Sequence, residues 1–433
     1  MPALVQSVSL LSRAPTRVRV YAIGVVIVMA FSALPLVVPP RAIGTLIQMQ
    51  VASVFALAFN ILWRQTRLLS FGHAAFFGTG MFATIHLMRA QEIGAALVPL
   101  PLLPLAGLAA GGLLGIVIGY FATARTGTYF AMVTLAFAEV IHQIAPQWEG
   151  LFGGEAGLST IRMPWAGISF GSNIEVYYFV LVWFLIAVGG MYAFARMPLG
   201  RLAFALGDNE VRVRFLGYNA RRAKTLVFAV SAMFAGLAGG LLAVTNENVD
   251  YSVFAASTSG LVVIHTFVGG AELFLGPIVG AIGLVLFSSV VSDVTRLWML
   301  YQGVLFVLVV MYMPQGVAGL LLDNLAPARW RILSSRAIPI LSSVAGGVLI
   351  AAGAIFSAEV VSALVSNPFA IQVLGAGGPT VVVFGLSWSA HAVATWFVPG
   401  ACFALGALLV WLAIRRVPIA EVTSDFANRE DAV

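Results

Sequence analysis

Apolar runs of about 20 residues, long enough to cross a hydrocarbon core as helices, recur along the chain between short charged clusters. The first runs from about Val20 to Val38, behind Arg13, Arg17 and Arg19. It is longer than a signal-peptide core and no small-x-small cleavage site follows, so it reads as a retained span. Ala42–Trp63 and Leu68–Met88 come next, with Arg64 and Arg67 at their junction. Leu105–Phe121, Thr128–Pro146 and Val176–Ala195 follow, then a charged break, then Thr225–Thr245, Ser252–Val268, Pro277–Val291 and Leu297–Leu320. Two more runs cover Ala337–Ala358 and Ala392–Ile414. Ile371–Trp388 reads as re-entrant or interfacial, because one more crossing would carry Arg415 and Arg416 to the opposite side. The pattern predicts an all-α, polytopic integral membrane helical bundle of about 10–12 transmembrane segments. The concentration of Arg on one side places both termini in the cytoplasm.

Composition agrees: 61% of the 433 residues are hydrophobic and only 9% charged, against about 25% charged in soluble domains. Mean hydropathy is +1.00 and the isoelectric point about 9.8. The basic residues cluster at the ends of apolar runs, so the charge points to membrane topology and not to nucleic acid. Lys224 is the only lysine among 23 basic residues. It precedes Thr225, but Tyr218 and Ala223 occupy the glycine positions of a nucleotide-binding G-x-x-x-x-G-K-[ST] loop, so the chain carries no such loop. Cys402 is alone and cannot form an intrachain disulfide. His73, His86, His142, His265 and His391 lack metal-ligand spacing, and no metal is expected.

The segment 196–224 interrupts the apolar pattern with nine charges: Arg196, Arg201, Asp208, Glu210, Arg212, Arg214, Arg221, Arg222 and Lys224. Each would cost about 2.5–3.5 kcal/mol at the centre of a bilayer, so the segment lies in water on the cytoplasmic side. Pro198 suits a first helical turn. Gly207 can end that helix in a left-handed conformation, Asp208 or Asn209 can cap a second with Glu210 in its first turn, and Gly217 can end it. Val211 and Phe215 then share a face, with Arg212 and Arg214 pointing elsewhere. Two short helices joined by an elbow suit docking to a soluble partner; the alternative is a solvated loop that only sets topology.

Within the spans, ionisable and hydroxyl side chains mark candidate path residues. His73 lies either on such a path or as a neutral histidine hydrogen-bonded between helices. Glu139 must be partnered, protonated or facing water; it lines a path or ties helices together. Thr128, Tyr129 and Thr134 could offer hydroxyls to a zwitterion. In the external loop Gln147–Glu175, Gly153, Gly154 and Gly157 flank Glu155; they either meet a partner or reverse the chain. No nucleophile triad or carboxylate pair has a local motif, and no enzyme activity is expected.

Six stretches, in order, resemble the inner-membrane permease subunits of ATP-binding-cassette importers for branched-chain amino acids, and the M-type paralogue in particular. They are L-S-F-G-H-A-A-F-F-G-T-G from Leu69 to Gly80, G-T-Y-F-A-M-V-T-L-A-F-A from Gly127 to Ala138 and F-G-G-E-A-G-L from Phe152 to Leu158. Pro198 to Asn219 is the longest. G-G-A-E-L-F-L-G-P-I-V-G-A from Gly269 to Ala281 and M-P-Q-G-V-A-G-L from Met313 to Leu320 complete the set. Val213 stands where the family often has Ala, Phe152 replaces a usual Thr, and Ala156 replaces a usual acidic residue. Ala271 to Phe274 is bulkier than usual.

The resemblance implies a permease domain over 1–325 with an ATPase-coupling loop at 196–224, and a C-terminal extension over 326–433. It implies that Asp208, Asn209, Glu210, Val211, Arg212, Phe215 and Gly217 meet a groove on the ATPase, with Gly217 matching the family's loop glycine. Implied partners are a homologous second permease subunit, two ATPase subunits that bind the ATP, a periplasmic substrate-binding protein and the lipid of a bacterial inner membrane. His73, Thr128, Tyr129, Thr134 and Glu139 are the path candidates. Gly153, Gly154, Glu155 and Gly157 are candidates for binding-protein contact. The expected cargo is a branched-chain or related small amino acid, with urea or short amides as the alternative and ion-coupled secondary transport as the more distant one.

Overall fold

The computed structural model describes residues 31–95, 98–167, 169–313, 315–324, 337–366, 380–383, 386–389 and 392–415. The basic N-terminal cluster, most of the first expected span, His391, most of the 371–388 run and the polar tail from Ala420 lie outside them.

The described chain is built from helices. α1 (Ile43–Thr66), α2 (His73–Glu92), α3 (Pro104–Ala122), α4 (Thr128–Ile144) and α5 (Asn173–Arg196) precede a short pair, α6 (Pro198–Asp208) and α7 (Glu210–Phe215). α8 (Ala220–Asn246), α9 (Ala256–Gly269), α10 (Gly276–Ser292), α11 (Trp298–Tyr312), α12 (Gly316–Asn324), α13 (Ala337–Ser366) and α14 (Val393–Arg415) follow. The all-α expectation is met; two short antiparallel strand pairs accompany the helices, β1 (Leu158–Ser159) with β2 (Asn248–Val249), and β3 (Thr380–Val383) with β4 (Leu386–Ser389). The second pair falls where a re-entrant or interfacial element was expected.

Among the described residues, six helical stretches are long and apolar enough to cross a membrane: Pro40–Thr66, Leu100–Ala122, Thr128–Gln147, Asn173–Arg196, Ala220–Asn246 and Ala345–Ser362. Ala256–Gly269, Gly276–Ser292, Trp298–Tyr312 and Thr395–Leu409 are shorter apolar helices. A non-helical break separates α1 from α2, so that α2 starts five residues into the Leu68–Met88 run. Arg67 adopts a left-handed conformation (φ 54°), and the backbone stays non-helical until His73. The run expected as one span over Leu297–Leu320 is instead split into α11 and α12.

The chain packs as two units, Met1–Asp293 with Met299–Leu320, and Val294–Trp298 with Leu321–Val433. In the first, α8 is the central helix. It lies against α3, α2 and α1, and α1 also contacts α5, α9 and α10. The close approach is made by small residues. A Cβ on Gly236 of α8 would stand 2.3 Å from the Gly107 carbonyl oxygen of α3, and one on Gly80 of α2 would stand 2.2 Å from the Gly236 carbonyl. Backbones this near maximise van der Waals contact where lipid offers no hydrophobic drive between helices. In the second unit α13 packs on α14, Phe356 stacks edge-on against Trp388, and the Thr295 hydroxyl bonds the Glu359 carboxylate.

Candidate functional site

The charged elbow is anchored from within. Leu206 of α6, Val213 of α7 and Ala220 and Ala223 of α8 form a small buried core, with Leu199 and Leu202 against it. α6 continues through Gly207 to Asp208, contrary to the expected left-handed stop. Glycine is needed at 207 because its Cα lies against α1: a Cβ would come 2.7 Å from the Gln65 carbonyl oxygen. Asn209 turns the chain in an extended conformation, and its side chain accepts from the Arg212 amide at 3.0 Å, capping α7. Gly217, at φ +87°, closes α7. Asn219 caps α8 in the same way, accepting from the Arg222 amide at 3.0 Å.

Glu210 does more than favour a first turn. Its carboxylate accepts from Lys224 on one oxygen and Arg214 on the other. Lys224 is 3% exposed, so the only lysine is spent on tying α7 to α8. Burial pushes the Glu210 carboxyl up, but the hydrogen bonds and charges of Lys224 and then Arg214 outweigh it and hold the carboxyl below its ordinary range. With Val213 facing inward, α7 turns Val211 (61% exposed) and Phe215 (88% exposed) outward.

The elbow's neighbours on this side are also fixed. Arg67 forms a forked ion pair with Glu272 at 2.5 and 3.3 Å, and Arg64 Nε donates to the Glu272 carbonyl at 2.9 Å. This latches the 269–276 turn to the end of α1. Gly270 of that turn packs so tightly on the Gln315–Gly316 backbone that a Cβ would come 2.4 Å from the Gln315 carbonyl oxygen.

The path candidates separate. His73 is fully buried, donor or acceptor to the Ser231 hydroxyl at 2.9 Å, with Phe59, Phe76 and Phe228 edge-on around it. Ser231 in turn donates to the Ala58 carbonyl at 2.7 Å. In this conformation His73 is an inter-helix bridge. Thr134 is buried and bonds back to the Ala131 carbonyl at 2.9 Å. Glu139 keeps a 40% exposed side chain, with His142 Nδ1 3.8 Å away. Thr128 and Tyr129 are exposed at the other end of α4.

On the opposite face, β1–β2 joins the 147–175 loop to the end of α8. Arg162 Nε donates to Glu247 at 2.9 Å, the Thr160 hydroxyl donates to Glu92 at 2.9 Å, and Phe152 packs with Phe82 and Phe254. Gly153, Gly154 and Gly157 all have positive φ and shape a tight turn. Glu155 is exposed beside them while Gly154 is buried.

The family model for the permease component of branched-chain amino acid transport systems matches residues 41–310. This chain belongs to that family. A relative in Escherichia coli strain K12, the high-affinity branched-chain amino acid transport system permease protein LivM, is 29% identical over 288 residues, 61% of this chain and 67% of its own length. Its Salmonella typhimurium counterpart is 28% identical over the same shares. A ribose import permease protein of Haemophilus influenzae is 26% identical over 42% of this chain and 57% of its own. No solved structure matches the chain. The protein is a multi-pass membrane permease, and its family is one of transport proteins, not enzymes.

Sequence reasoning missed the partners inside this permease: Lys224 for Glu210, Glu272 for Arg67 and Glu247 for Arg162. Lone opposite charges far apart in sequence carry no pairing signal. The only hint was a lysine standing alone just inside an apolar helix.

Proposed function

We propose that this chain is the membrane-spanning subunit of an ATP-binding-cassette importer that brings branched-chain or related small amino acids into the cytoplasm. ATP would be bound and hydrolysed by two separate subunits. The observation that carries the reading is α7: a six-residue helix, tied back through Glu210 and Val213, that holds Val211 and Phe215 outward on a chain of this family. A helix so short is unstable alone, so its cap and ion pair exist to present a rigid surface. Asp208, Asn209, Arg212 and Gly217 complete that surface. Closure of the ATPases against it would bias the bundle between inward- and outward-facing states. A homologous permease pairs with this one in the inner membrane, and a periplasmic binding protein delivers cargo at the side bearing Gly153, Gly154, Glu155 and Gly157.

The test is reconstitution with the ATPase, second permease and binding subunits, comparing leucine, isoleucine and valine with urea and short amides. Gly217→Asp should insert normally and melt only slightly lower, yet lose ATP-driven uptake. A Cβ at 217 meets open space, so the change acts through the turn, where a non-glycine residue costs roughly 1–3 kcal/mol, and through the docking surface. Normal uptake by this variant would sink the coupling role. Uptake driven by an ion gradient without the ATPases would point to a secondary transporter.

A further inference from the structure

A second feature of the cytoplasmic side lies beside the proposed docking surface. Between the α3–α4 loop and the elbow is a half-open recess of about 410 Å³, lined by Arg125, Thr126, Tyr129, Glu210, Arg214 and Arg221 among others. Its charge is one-sided. Arg125, Arg214 and Arg221 face one carboxylate, Glu210, and the buried Lys224 already bonds that carboxylate's other oxygen. Two of the arginines are held in place. Arg221 lies 4.2 Å over the Tyr120 ring and donates to the Tyr120 carbonyl oxygen at 2.6 Å, while Arg214 is bonded to Glu210. The Arg125 side chain has no hydrogen bond or ion pair among the described residues, and its backbone amide donates to the Ala122 carbonyl oxygen at 3.2 Å. Thr126 and Tyr129 add hydroxyl groups.

The recess also stands at the foot of an apolar stripe. On α3, Leu113, Ile116, Val117 and Tyr120 recur on one face and are 50–68% exposed. In a membrane protein such a face is solvated by acyl chains, and the stripe ends at Thr123, where α3 ends and the recess begins.

We propose that this recess binds a phosphate-bearing anion at the cytoplasmic membrane boundary. Pre-positioned guanidinium groups and hydroxyls are matched to phosphate oxygens, which accept several charge-assisted hydrogen bonds at once. The headgroup of an anionic phospholipid and free phosphate share this chemistry. The stripe on α3 favours the lipid, with its chains along the helix and its phosphate in the recess. The site is distinct from the Val211–Phe215 surface, because Glu210 and Arg214 occupy a different face of α7, and it does not depend on the transport reading.

The experiment is native mass spectrometry of the full chain released from micelles holding equal phosphatidylglycerol and phosphatidylcholine, with and without millimolar inorganic phosphate. Wild type should retain phosphatidylglycerol preferentially. Arg125→Gln and Arg221→Gln should each weaken that preference about five-fold. Arg125→Lys should keep most of it, and Arg89→Gln, at the opposite end of α2, should leave it unchanged. Displacement of the lipid by phosphate alone, at wild type and not at the variants, would identify the free anion as the occupant. Equal retention of both lipids with no response to phosphate would overturn the proposal, as would a preference that survives both glutamine substitutions. Carbodiimide cross-linking of the Arg125→Lys variant to an ATPase carboxylate, in a chain with no anion preference of its own, would overturn it in favour of a protein contact. Arg125 sits in an exposed loop, so its substitution should not disturb folding, and melting of each variant checks that.

Discussion

Glu210 and Lys224 show how one pair can decide whether an exposed element exists. Lys224 is buried, so Glu210→Gln should leave its ammonium without a counter-charge and cost roughly 1.5–3 kcal/mol. Adding Lys224→Met to that variant should recover much of the loss, since an apolar replacement of both partners removes the buried charge. Melting of the purified single and double variants checks both. The pH dependence follows from the lowered Glu210 carboxyl. Its contribution is fully present above the unfolded value near 4.5 and is lost as pH falls through the lower folded value. The gap between wild type and Glu210→Gln should therefore be widest near neutrality and close in acid; a gap that widened in acid would contradict the assignment. Glu139 is the other residue-scale test. We propose that its half-exposed carboxylate meets the ammonium of an amino-acid cargo. Glu139→Gln keeps shape while removing charge, so zwitterion uptake should fall more than uptake of a neutral amide, at unchanged thermal stability. Uniform loss that tracks instability would make it a packing residue.

At the scale of elements, the bundle depends on how closely α8 approaches α3 and α2. A Cβ on Gly236 would come within hard contact of the α3 backbone at Gly107 and Gly111, while Gly80 of α2 presses on the Gly236 backbone from another side. Gly236→Val must separate α8 from α3 or distort one of them, at a cost of about 1–3 kcal/mol or more. A clear fall in melting temperature and yield is expected, whereas Gly283→Ala on α10, where a Cβ meets open space, should be near neutral. Similar behaviour of the two would mean that α8 is not the close-packed centre. α7 follows the opposite logic. It gains little from its six residues and is held by Asn209, Val213 and Glu210, so it responds to single changes in its tethers more than a long span does.

For the whole molecule, the two faces of the first unit carry separate fasteners. Arg67–Glu272 joins α1 to the 269–276 turn on one face, and Arg162–Glu247 with β1–β2 joins loop to helix on the other. We propose that the first faces the cytoplasm. Single cysteines at Tyr218 and Ser159, in a Cys402→Ala background, test this, since both positions are exposed. They should label from opposite sides of sealed vesicles, with Tyr218 reached only from the cytoplasm. Labelling of both from the periplasm would refute the orientation and move the elbow away from any ATPase.

The sequence by itself determined the membrane class, the limits of the long spans and the elbow. Those follow from local rules: about 20 apolar residues cross a bilayer, charges must leave it, and Pro198 and Gly217 start and stop short helices. α1, α3, α4 and α5 accordingly begin and end within a few residues of the apolar runs. Six ordered motifs, none specific alone, were also enough to point to the family. Tertiary structure decided what each special residue does. Gly207 and Gly217 look alike in sequence, yet one is small because α1 presses on it and the other because the backbone turns left-handed there. His73 and Glu139 are both ionisable groups in apolar helices, yet one is sealed among aromatic rings and the other remains open. Nor could the run over 297–320 be divided in advance, because α11 and α12 part where Gly316 packs on the Gly269–Gly270 turn. In each case the deciding contact joins residues far apart in the chain, and local pattern holds no record of such contacts.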